Sequence, residues 1–387
     1  MRVAQATVSR LAVTRLRLTN FRSYAIGELA VSGAPVVLAG PNGAGKTNVL
    51  DAISLLSPGR GLRGAKLAEH TRKGPSSLGR AGSDDTLWAV AATVARGETE
   101  HEIGTGMVGG TASRQVRLNG AAAQSSADLG DIVQLIWLTP AMDRLFIESA
   151  GGRRRFLDRL VLSIDPHHGQ RALDYEKAMR QRNRLLDEDA DRRWLDALEA
   201  QLASLAAAVH FARADAIADL QALAATEPGT DFPAARLGLT LLFEDRPVPD
   251  SSAGLEEELR ELWATTRPID RAAGRTLAGP HRIDLDIVHA QKNMPAALGS
   301  TGEQKALLIG LILAHARLVK RTTGIAPFLL LDEIAAHLDP GRRAALFVAL
   351  DSLATQCFMT GTDPMLFEAL RDDAQRVTVR DGRLSQG

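Results

Sequence analysis

Eight residues near the start of the chain, Gly40–Thr47, have the composition of a phosphate-binding loop. Their order, Gly-Pro-Asn-Gly-Ala-Gly-Lys-Thr, fits the pattern G-x-x-x-x-G-K-[ST]. Glycines let the backbone curl so that successive N–H groups point at phosphate oxygens, and a following helix adds the positive end of its dipole. We expect Lys46 to reach the β- and γ-phosphates and the Thr47 hydroxyl to hold Mg²⁺. The predicted ATP site comprises Gly40, Pro41, Asn42, Gly43, Ala44, Gly45, Lys46, Thr47 and Asn48.

A second group of residues suited to this chemistry lies near the other end of the chain. Four apolar residues are followed by Asp332 and Glu333, as in a central parallel strand with acids at its carboxyl end. Open α/β sheets bind their ligands at that edge. We expect Asp332 to bind Mg²⁺, directly or through water, and Glu333 to act as general base on the attacking water. Together with the glycine loop, these acids predict ATP hydrolysis.

A Ser/Gly turn that opens an apolar helix is a third candidate for phosphate contact. Free N–H groups and the helix dipole favour an anion there, although an ordinary helix cap is the alternative. Its place about 30 residues before Asp332 resembles the signature motif of ABC-type ATPases. In that family the motif of one subunit contacts the γ-phosphate held by the other. The resemblance implies an ATP-dependent homodimer, with contacts in trans from Ser300, Thr301, Gly302, Glu303 and Gln304 and a D-loop at Asp339.

One position departs from the ABC pattern. Where that family has a histidine after the next strand, this chain has Thr362. A hydroxyl can bond to a phosphate but carries no charge. We therefore expect slow hydrolysis and a function other than that of a transporter's nucleotide-binding subunit.

Elements that would position these residues are visible in the hydrophobic pattern. Strands are predicted over 11–19 and 35–39, a helix over 47–56, antiparallel strands over 86–120, a long helical seam over 191–224, a loop over 226–256, a strand over 283–288 and a helix from 303. The pattern predicts an α/β fold, a head interrupted by a mostly helical lobe, and the resemblance to ABC-type ATPases implies that the head is an ABC-type (P-loop) ATPase head with a mixed sheet. The predicted division is 1–149 and 273–387 for the head and 150–272 for the lobe.

Composition narrows the function further. The chain has 387 residues, 46 basic and 46 acidic, so any nucleic-acid site must be a local patch. The one cysteine, Cys357, excludes an internal disulfide framework and is interpreted as a small core residue. The apolar segment 306–319 is too short to span a bilayer. We expect a cytoplasmic protein with no membrane partner.

Several longer segments resemble the RecF family, bacterial ATPases of replication and recombinational repair related to SMC heads. The segments, in the family's order, are LRLTNFRSY (16–24), LSPGRGLRGAK (56–66), GRRRFLDRL (152–160), YEKAMRQRNRLL (175–186) and TLAGPHRIDL (276–285). The resemblance implies ATP-dependent binding of double-stranded and gapped DNA, dimerisation on ATP, and work with RecO and RecR to load RecA. The family's GPHRDDL has an aspartate at Ile283 but keeps Asp284. After Thr139-Pro140 the nearest carboxylate is Asp143, and Gln134 lies within an apolar strand pattern, so no glutamine is assigned to Mg²⁺.

Two basic clusters are candidates for DNA contact. On a helix, residues 177, 180 and 184 share one face, whereas 182 points elsewhere. Cations on adjoining helices can follow phosphates without reading sequence, and the alternative is a solvated face paired with nearby acids. Aromatic content of only 4% favours duplex over single-strand binding. The candidates are Arg153, Arg154, Arg155, Lys177, Arg180 and Arg184.

Three other functions compete with an ATP-gated DNA clamp. A transporter subunit prefers a histidine at residue 362, and a typical SMC-like head carries a far longer coiled coil than about four heptads. The third is a nucleotide-dependent scaffold for protein partners, with negligible turnover and no DNA binding. Glu333 argues for hydrolysis, although hydrolysis could serve only to reset the clamp.

Overall fold

The computed structural model describes residues 11–73, 86–109, 111, 113–226, 231–243 and 246–386. The chain divides into two compact units. The first contains Met1–Asp143, Gly229–Pro233 and Ser300–Gly387, and the second contains Arg144–Pro228 and Ala234–Gly299. In chain order the described strands and helices are β1 (Leu11–Phe21), β2 (Tyr24–Ala30), β3 (Val36–Ala39), α1 (Lys46–Ser54), β4 (Thr86–Arg96), β5 (Thr99–Val108), β6 (Gln115–Leu118), β7 (Ala121–Ala122), β8 (Leu135–Leu138), α2 (Ala150–Leu162), α3 (His168–Asp187), α4 (Arg192–Thr226), β9 (Ala235–Leu239), α5 (Ser252–Ala273), β10 (Leu285–His289), β11 (Met294–Pro295), α6 (Thr301–Thr323), β12 (Phe328–Leu331), α7 (Pro340–Leu353), β13 (Cys357–Gly361), β14 (Gln375–Arg380) and β15 (Arg383–Gln386).

An antiparallel sheet in the first unit has, among the described residues, the strand order β2-β1-β4-β5-β6-β7. Side chains of β1 alternate between its faces, so that Leu16 and Leu18 are buried while Arg15 and Arg17 are exposed. β6 and β7 are joined through Asn119 and Gly120, both with positive φ, as a tight two-residue hairpin turn requires. The antiparallel strands predicted over 86–120 are confirmed.

The second sheet of this unit is mixed, with the order β15-β14-β3-β13-β12-β8 within the described part of the chain. Neighbouring strands are parallel except for the antiparallel pair β14 and β15. β12 and β13 are buried along their whole length, as strands covered on both faces are. Because β13 lies between β3 and β12, the carboxyl ends of β3 and β12 lie at one edge, one strand apart. The predicted α/β head with a mixed sheet is confirmed.

α1 lies in the hydrophobic core that both sheets share. Its residues Val49 and Ile53 are fully buried and belong to one cluster with Leu16 and Val90 of the antiparallel sheet and Phe328 of the mixed sheet. Full burial of such side chains stabilises a fold by about 1.5–3 kcal/mol each. Both sheets therefore hold α1, and with it the glycine loop that precedes it.

Cys357 begins β13 and is 1% exposed. Burial raises the pKa of its thiol to about 12, so the thiolate is not formed at neutral pH. The interpretation as a small core residue is confirmed.

The second unit is built from α2, α3, α4 and α5 with a small sheet of order β11-β10-β9 among the described residues. α4 is a single helix of 35 residues, which confirms the helix predicted over 191–224. The core of the unit includes Tyr175, Leu202, Leu259 and Trp263, contributed by α3, α4 and α5. Across the described residues, no helix combines the length and apolar character needed to cross a membrane.

Two predictions about this unit differ from the structure. The stretch 226–256, predicted as a loop, contains β9 and the start of α5. β9 pairs with β10, so residues 273–299 belong to the second unit and not to the ATPase head. The signal for β9 is weak because its five residues, flanked by prolines, glycines and acids, have the surroundings typical of a loop.

Candidate functional site

The loop between β3 and α1 has the backbone shape of a phosphate cradle. Gly43 and Gly45 have φ values of 79° and 112°, in the region that favours glycine. A Cβ on Gly45 would lie 2.7 Å from Ser23 Oγ and 3.0 Å from the Tyr24 hydroxyl oxygen. The site therefore requires glycine at residue 45. The first N–H groups of α1 have no acceptor inside the helix, and with the helix dipole they favour an anion at the loop.

Lys46, the first residue of α1, folds back over the loop. Its Nζ donates to the carbonyl oxygens of Gly40 at 2.7 Å and Pro41 at 3.0 Å. The residue is 5% exposed. A buried ammonium held inside the loop brings a positive charge to the place where nucleotide phosphates would lie.

Thr47 and Asp332 come from opposite ends of the sequence and meet at the edge of the mixed sheet. Thr47 Oγ1 lies 2.9 Å from Asp332 Oδ1 and 3.2 Å from Oδ2. Hydroxyl and carboxylate oxygens are the ligands that Mg²⁺ prefers, and the ion usually takes its remaining ligands from water and substrate phosphates. The donor set of these two residues fits a magnesium ion.

Glu333 has an unusual backbone conformation, with φ of 50°, which is uncommon for a residue other than glycine. Its N–H donates to Thr360 Oγ1 at 2.8 Å, and the Thr360 hydroxyl donates to Asp332 Oδ1 at 2.7 Å. Thr360 is fully buried. One hydroxyl on β13 thus fixes both acidic residues. Sequence reasoning missed Thr360, although a polar residue inside a buried apolar strand was the available signal.

The turn between β1 and β2 supports the glycine loop. The Tyr24 hydroxyl donates to the Gly45 carbonyl at 3.1 Å, and Asn48 Nδ2 donates to Ser23 Oγ at 2.9 Å. Burial raises the pKa of Tyr24, so its phenol stays protonated and remains a donor. Asn48, predicted as a nucleotide contact, links α1 to this turn. Ser23 and Tyr24 were not predicted as site residues because the FRSY segment is weak on its own.

The first turn of α6 is capped by the side chains of Ser300 and Glu303, and part of it is exposed to solvent. Ser300 Oγ accepts from the Glu303 N–H at 3.4 Å, and the Glu303 carboxylate accepts from the Ser300 N–H at 2.8 Å. Thr301 and Gly302 are exposed, whereas Gln304 is buried. Ser300 is exposed as well, so the exposed part of the predicted signature motif covers residues 300–302.

Arg342 of α7 connects this turn with Asp339. Its Nη1 donates to the Gly302 carbonyl at 3.1 Å, and its Nε lies 3.6 Å from Asp339 Oδ2. Asp339 is the cap of α7 and accepts from the Arg342 N–H at 2.9 Å. The predicted signature and D-loop residues are therefore brought close together in one chain.

Three further positions raised by the sequence are placed as follows. Asp143 pairs with the buried Lys305 of α6, 3.0 Å from its Nζ. Gln134 is buried and donates to the Gly130 carbonyl at 2.6 Å. Thr362 is exposed directly after β13.

The arginines of α2 are divided between structural contacts and solvent. Arg153 makes a two-point contact with Asp284, including Nε to Oδ1 at 2.8 Å, and Arg154 donates to the Ile283 carbonyl at 3.0 Å. The bond from Arg153 lowers the pKa of Asp284. Arg155 is exposed. Arg153 and Arg154 thus join α2 to the start of β10, and their contact with DNA stays a prediction.

The cations of α3 lie as the helical spacing predicts. Lys177, Arg180 and Arg184 are exposed along one face. Arg182 is fully buried and bonds to Glu199 of α4 at 2.8 Å and to Asp270 of α5 at 2.7 Å. The exposed face leaves three cations accessible, and Arg182 forms part of the core of the unit.

Comparison with known proteins gives consistent matches over nearly the whole chain. Residues 12–386 match the family described as RecF/RecN/SMC N terminal domain. A protein of Rhizobium etli (strain CIAT 652), named DNA replication and repair protein RecF, is 52% identical over 379 residues, which cover 97% of this chain and 99% of the relative.

Two solved structures are similar in fold. They are described as the recombination mediator protein RecF with ATPrS and with ATP in the RecFOR pathway, and they have TM-scores of 0.81 and 0.79. Each is 22% identical and covers 98% of this chain, with 98% and 100% of its own length covered. At this identity the likeness establishes the fold, that of an ABC-type ATPase head with an additional helical unit.

Proposed function

Because this chain belongs to the RecF family of DNA replication and repair proteins, we propose that it is an ATP-gated clamp for double-stranded DNA. ATP joins two copies, the dimer binds duplex DNA beside single-stranded gaps, and slow hydrolysis releases it. The observation that supports the proposal is the hydrogen bond from Thr47 on α1 to Asp332 after β12, which brings together two residues from opposite ends of the chain that would hold Mg²⁺.

In this proposal the loop residues 40–48 bind the nucleotide. Backbone N–H groups of the loop and the Lys46 ammonium bind the phosphate oxygens, and Gly45 leaves room for the β1–β2 turn that supports the loop. Thr47 and Asp332 would hold Mg²⁺, which when bound neutralises phosphate charge. The network through Thr360 keeps the Asp332 carboxylate aimed at Thr47.

Glu333 is proposed to accept the proton of the attacking water on its carboxylate. Thr360 supports this role because it bonds to the Glu333 N–H and so holds the backbone that carries the carboxylate. Thr362 offers the phosphate a neutral hydroxyl, which gives weaker stabilisation than a charged donor. Slow turnover follows from that difference, and DNA is proposed to stimulate it.

The second copy is proposed to complete the site through Ser300, Thr301, Gly302 and Asp339. Thr301 and Gly302 are exposed at the positive end of α6, which favours an anion. Glu303 and Gln304 support the turn from inside the chain.

DNA contact is proposed for the exposed cations Arg155, Lys177, Arg180 and Arg184 of the second unit. They meet phosphates, which give affinity without sequence preference. The described relatives act in a RecFOR pathway, and we extend this to RecO and RecR as partners in RecA loading. The protein would act in the cytoplasm, where it meets the chromosome.

The test uses the Glu333→Gln protein and a fluorescent duplex that carries a single-stranded gap. Anisotropy is measured with Mg-ATP and with Mg-ADP at two salt concentrations, since phosphate contacts weaken as salt rises. Tighter binding with ATP that weakens in salt supports the clamp. Equal, negligible binding with both nucleotides contradicts it. Lys46→Ala is the control, because it should lose ATP and with it the difference between nucleotides.

A further inference from the structure

Three consecutive residues of the β1–β2 turn bond to the glycine loop and α1 at intervals of three residues. In order along the turn, the pairs are Arg22 with Asp51, Ser23 with Asn48, and Tyr24 with Gly45. Residues three apart on a helix are neighbours on its surface, so the turn is bonded along one side of α1. The pair between Arg22 and Asp51 differs from the other two because both of its side chains carry a charge.

This pair is an ion pair that is largely shielded from water. Arg22 Nε donates to Asp51 Oδ2 at 3.0 Å, and its Nη2 lies 2.9 Å from the same oxygen. The Arg22 side chain is 15% exposed and that of Asp51 is fully buried. Burial alone would raise the pKa of this carboxyl, but His70 and the charges of Arg22 and Arg63 lower the pKa below its ordinary value. The carboxylate is therefore charged at neutral pH and binds the arginine.

The segment 67–72 covers the ion pair. His70 is fully buried, and its Nδ1 lies 3.5 Å from Asp51 Oδ2. Its ring stacks on Phe21 of β1 with 5.4 Å between the ring centroids, and its carbonyl accepts from the Arg22 N–H at 2.7 Å. Charges that are removed from water interact more strongly than charges at the surface.

The effect of such a pair lies in geometry more than in net stability. The free energy of removing two charges from water offsets much of their attraction. A guanidinium group, however, is a rigid planar fork that bonds to a carboxylate in a defined orientation. Arg22 also has a φ of 53°, a left-handed conformation that persists only where surrounding contacts hold it. The contact with Asp51 therefore fixes one arrangement of the turn.

We propose that Arg22 and Asp51 are positioning residues of the ATP site, whose ion pair holds the β1–β2 turn against α1 and through it the shape of the glycine loop. The inference rests on the proposed function, since it concerns the same nucleotide site. Asp332 and Glu333 are held separately, by Thr360 on β13. The ion pair should therefore govern how tightly ATP binds and leave the hydrolysis of bound ATP unchanged.

The test compares the parent with Arg22→Met, Asp51→Asn, the double variant Arg22→Met/Asp51→Asn, and Asp158→Asn. Methionine keeps much of the apolar stem of arginine and removes the charge. Asp158 is the matched control, because it too lies between an arginine and a histidine, 2.8 Å from Arg213 Nε and 2.9 Å from His168 Nε2. It belongs to the second unit, away from the ATP site. The affinity for a fluorescent ATP analogue, kcat at saturating ATP, and urea unfolding are measured for each protein.

Both single variants and the double variant should bind ATP about tenfold more weakly, as expected when one charge-assisted hydrogen bond is lost. The losses should not add, because the two charges act as one unit. Their kcat should change by less than about twofold, since the lost interaction supports bound ATP and the transition state alike. Stability should fall in Asp51→Asn and recover in the double variant, where no charge is left buried alone. Asp158→Asn should lose stability and keep parental ATP affinity.

Several results would overturn the proposal. Parental ATP affinity in the double variant would show that the ion pair serves folding alone. Additive losses, or a loss confined to Arg22→Met, would show that Arg22 acts on the nucleotide without Asp51. An equal loss of affinity in Asp158→Asn would assign the effect to general destabilisation, and an equal loss in kcat would place the pair in the hydrolytic step.

Two other outcomes are also decisive. If Asp51→Asn does not fold, the double variant decides, because it leaves neither charge without its partner. If the parent itself binds no ATP, the proposed function fails and this inference fails with it.

Discussion

Replacing Thr360 with valine tests how the acidic pair is held. Valine keeps the β-branched shape and removes the hydroxyl, which is fully buried and bonds to Asp332 at 2.7 Å and to the Glu333 N–H at 2.8 Å. The bond to a carboxylate contributes about 1.5–3 kcal/mol and the bond to an amide about 0.5–1.5 kcal/mol. The free energy of unfolding should therefore fall by about 2–4 kcal/mol.

The same change should reduce turnover. Glu333 has a left-handed backbone conformation. Without the Thr360 hydroxyl that accepts from its N–H, the backbone that carries the Glu333 carboxylate is free to move. A misplacement of about 1 Å costs on the order of 100-fold in rate, so kcat should drop about 10- to 100-fold. Lys46 and its loop are untouched, so the affinity for ATP should change much less than kcat does.

The assay is steady-state ATP hydrolysis with a separate titration of a fluorescent ATP analogue and urea unfolding of each variant. Thr360→Ser is the matched control, because it keeps the hydroxyl and should recover most of kcat. The reasoning is refuted if Thr360→Val keeps parental kcat and stability, or if ATP affinity falls as much as kcat does.

Three further predictions follow from other parts of the structure. Gly45→Ala should abolish ATP binding while the second unit stays folded, because residue 45 has a positive φ and its new Cβ would clash with the β1–β2 turn. Nucleotide titration and circular dichroism test this, and normal affinity for ATP would contradict it. Arg182→Ala should destabilise the protein by about 3–5 kcal/mol, since it leaves the buried carboxylate of Asp270 without its cation and that of Glu199 with Arg267 alone. Urea unfolding measures the loss, and a change below about 1 kcal/mol would show that the ion pairs of Arg182 are dispensable. Because the pKa of Asp284 is lowered in the folded state, its ion pair with Arg153 stabilises the fold fully above the carboxyl's unfolded pKa of about 3.9, and this stabilisation is lost as pH falls through the lower folded pKa. Asp284→Asn should therefore make the free energy of unfolding less dependent on pH below about 4. An unchanged pH dependence in that range would show that the ion pair is not its cause.

How much of this molecule the sequence predicts depends on how far apart the interacting residues lie in the chain. The glycine loop and the apolar strand before Asp332 are local patterns, and their elements were predicted correctly. The hydrogen bond between Thr47 and Asp332 joins residues 285 positions apart. The sequence predicts only that both residues hold Mg²⁺, because both motifs point to one ligand.

Contacts between residues that do not both belong to recognised ligand-binding motifs could not be predicted from the sequence. Nothing local to Thr360 indicates that it faces two acids on a neighbouring strand. Arg153 and Arg154 look like other surface arginines in the sequence, but tertiary structure places them against Asp284 and Ile283. β9 is a strand because β10 pairs with it, and its own composition favours a loop.

The place of β3 in the mixed sheet has a consequence for synthesis on the ribosome. Its register partners, including Phe358 on β13 and Gln375 on β14, lie about 320 residues or more beyond Val36, which is about 16–65 s of translation at 5–20 residues per second. During that time the strand that leads into the nucleotide loop has neither of its neighbours. A chain that terminates early, before β13, therefore lacks both strands that frame β3, so only a nearly complete product can form the nucleotide loop.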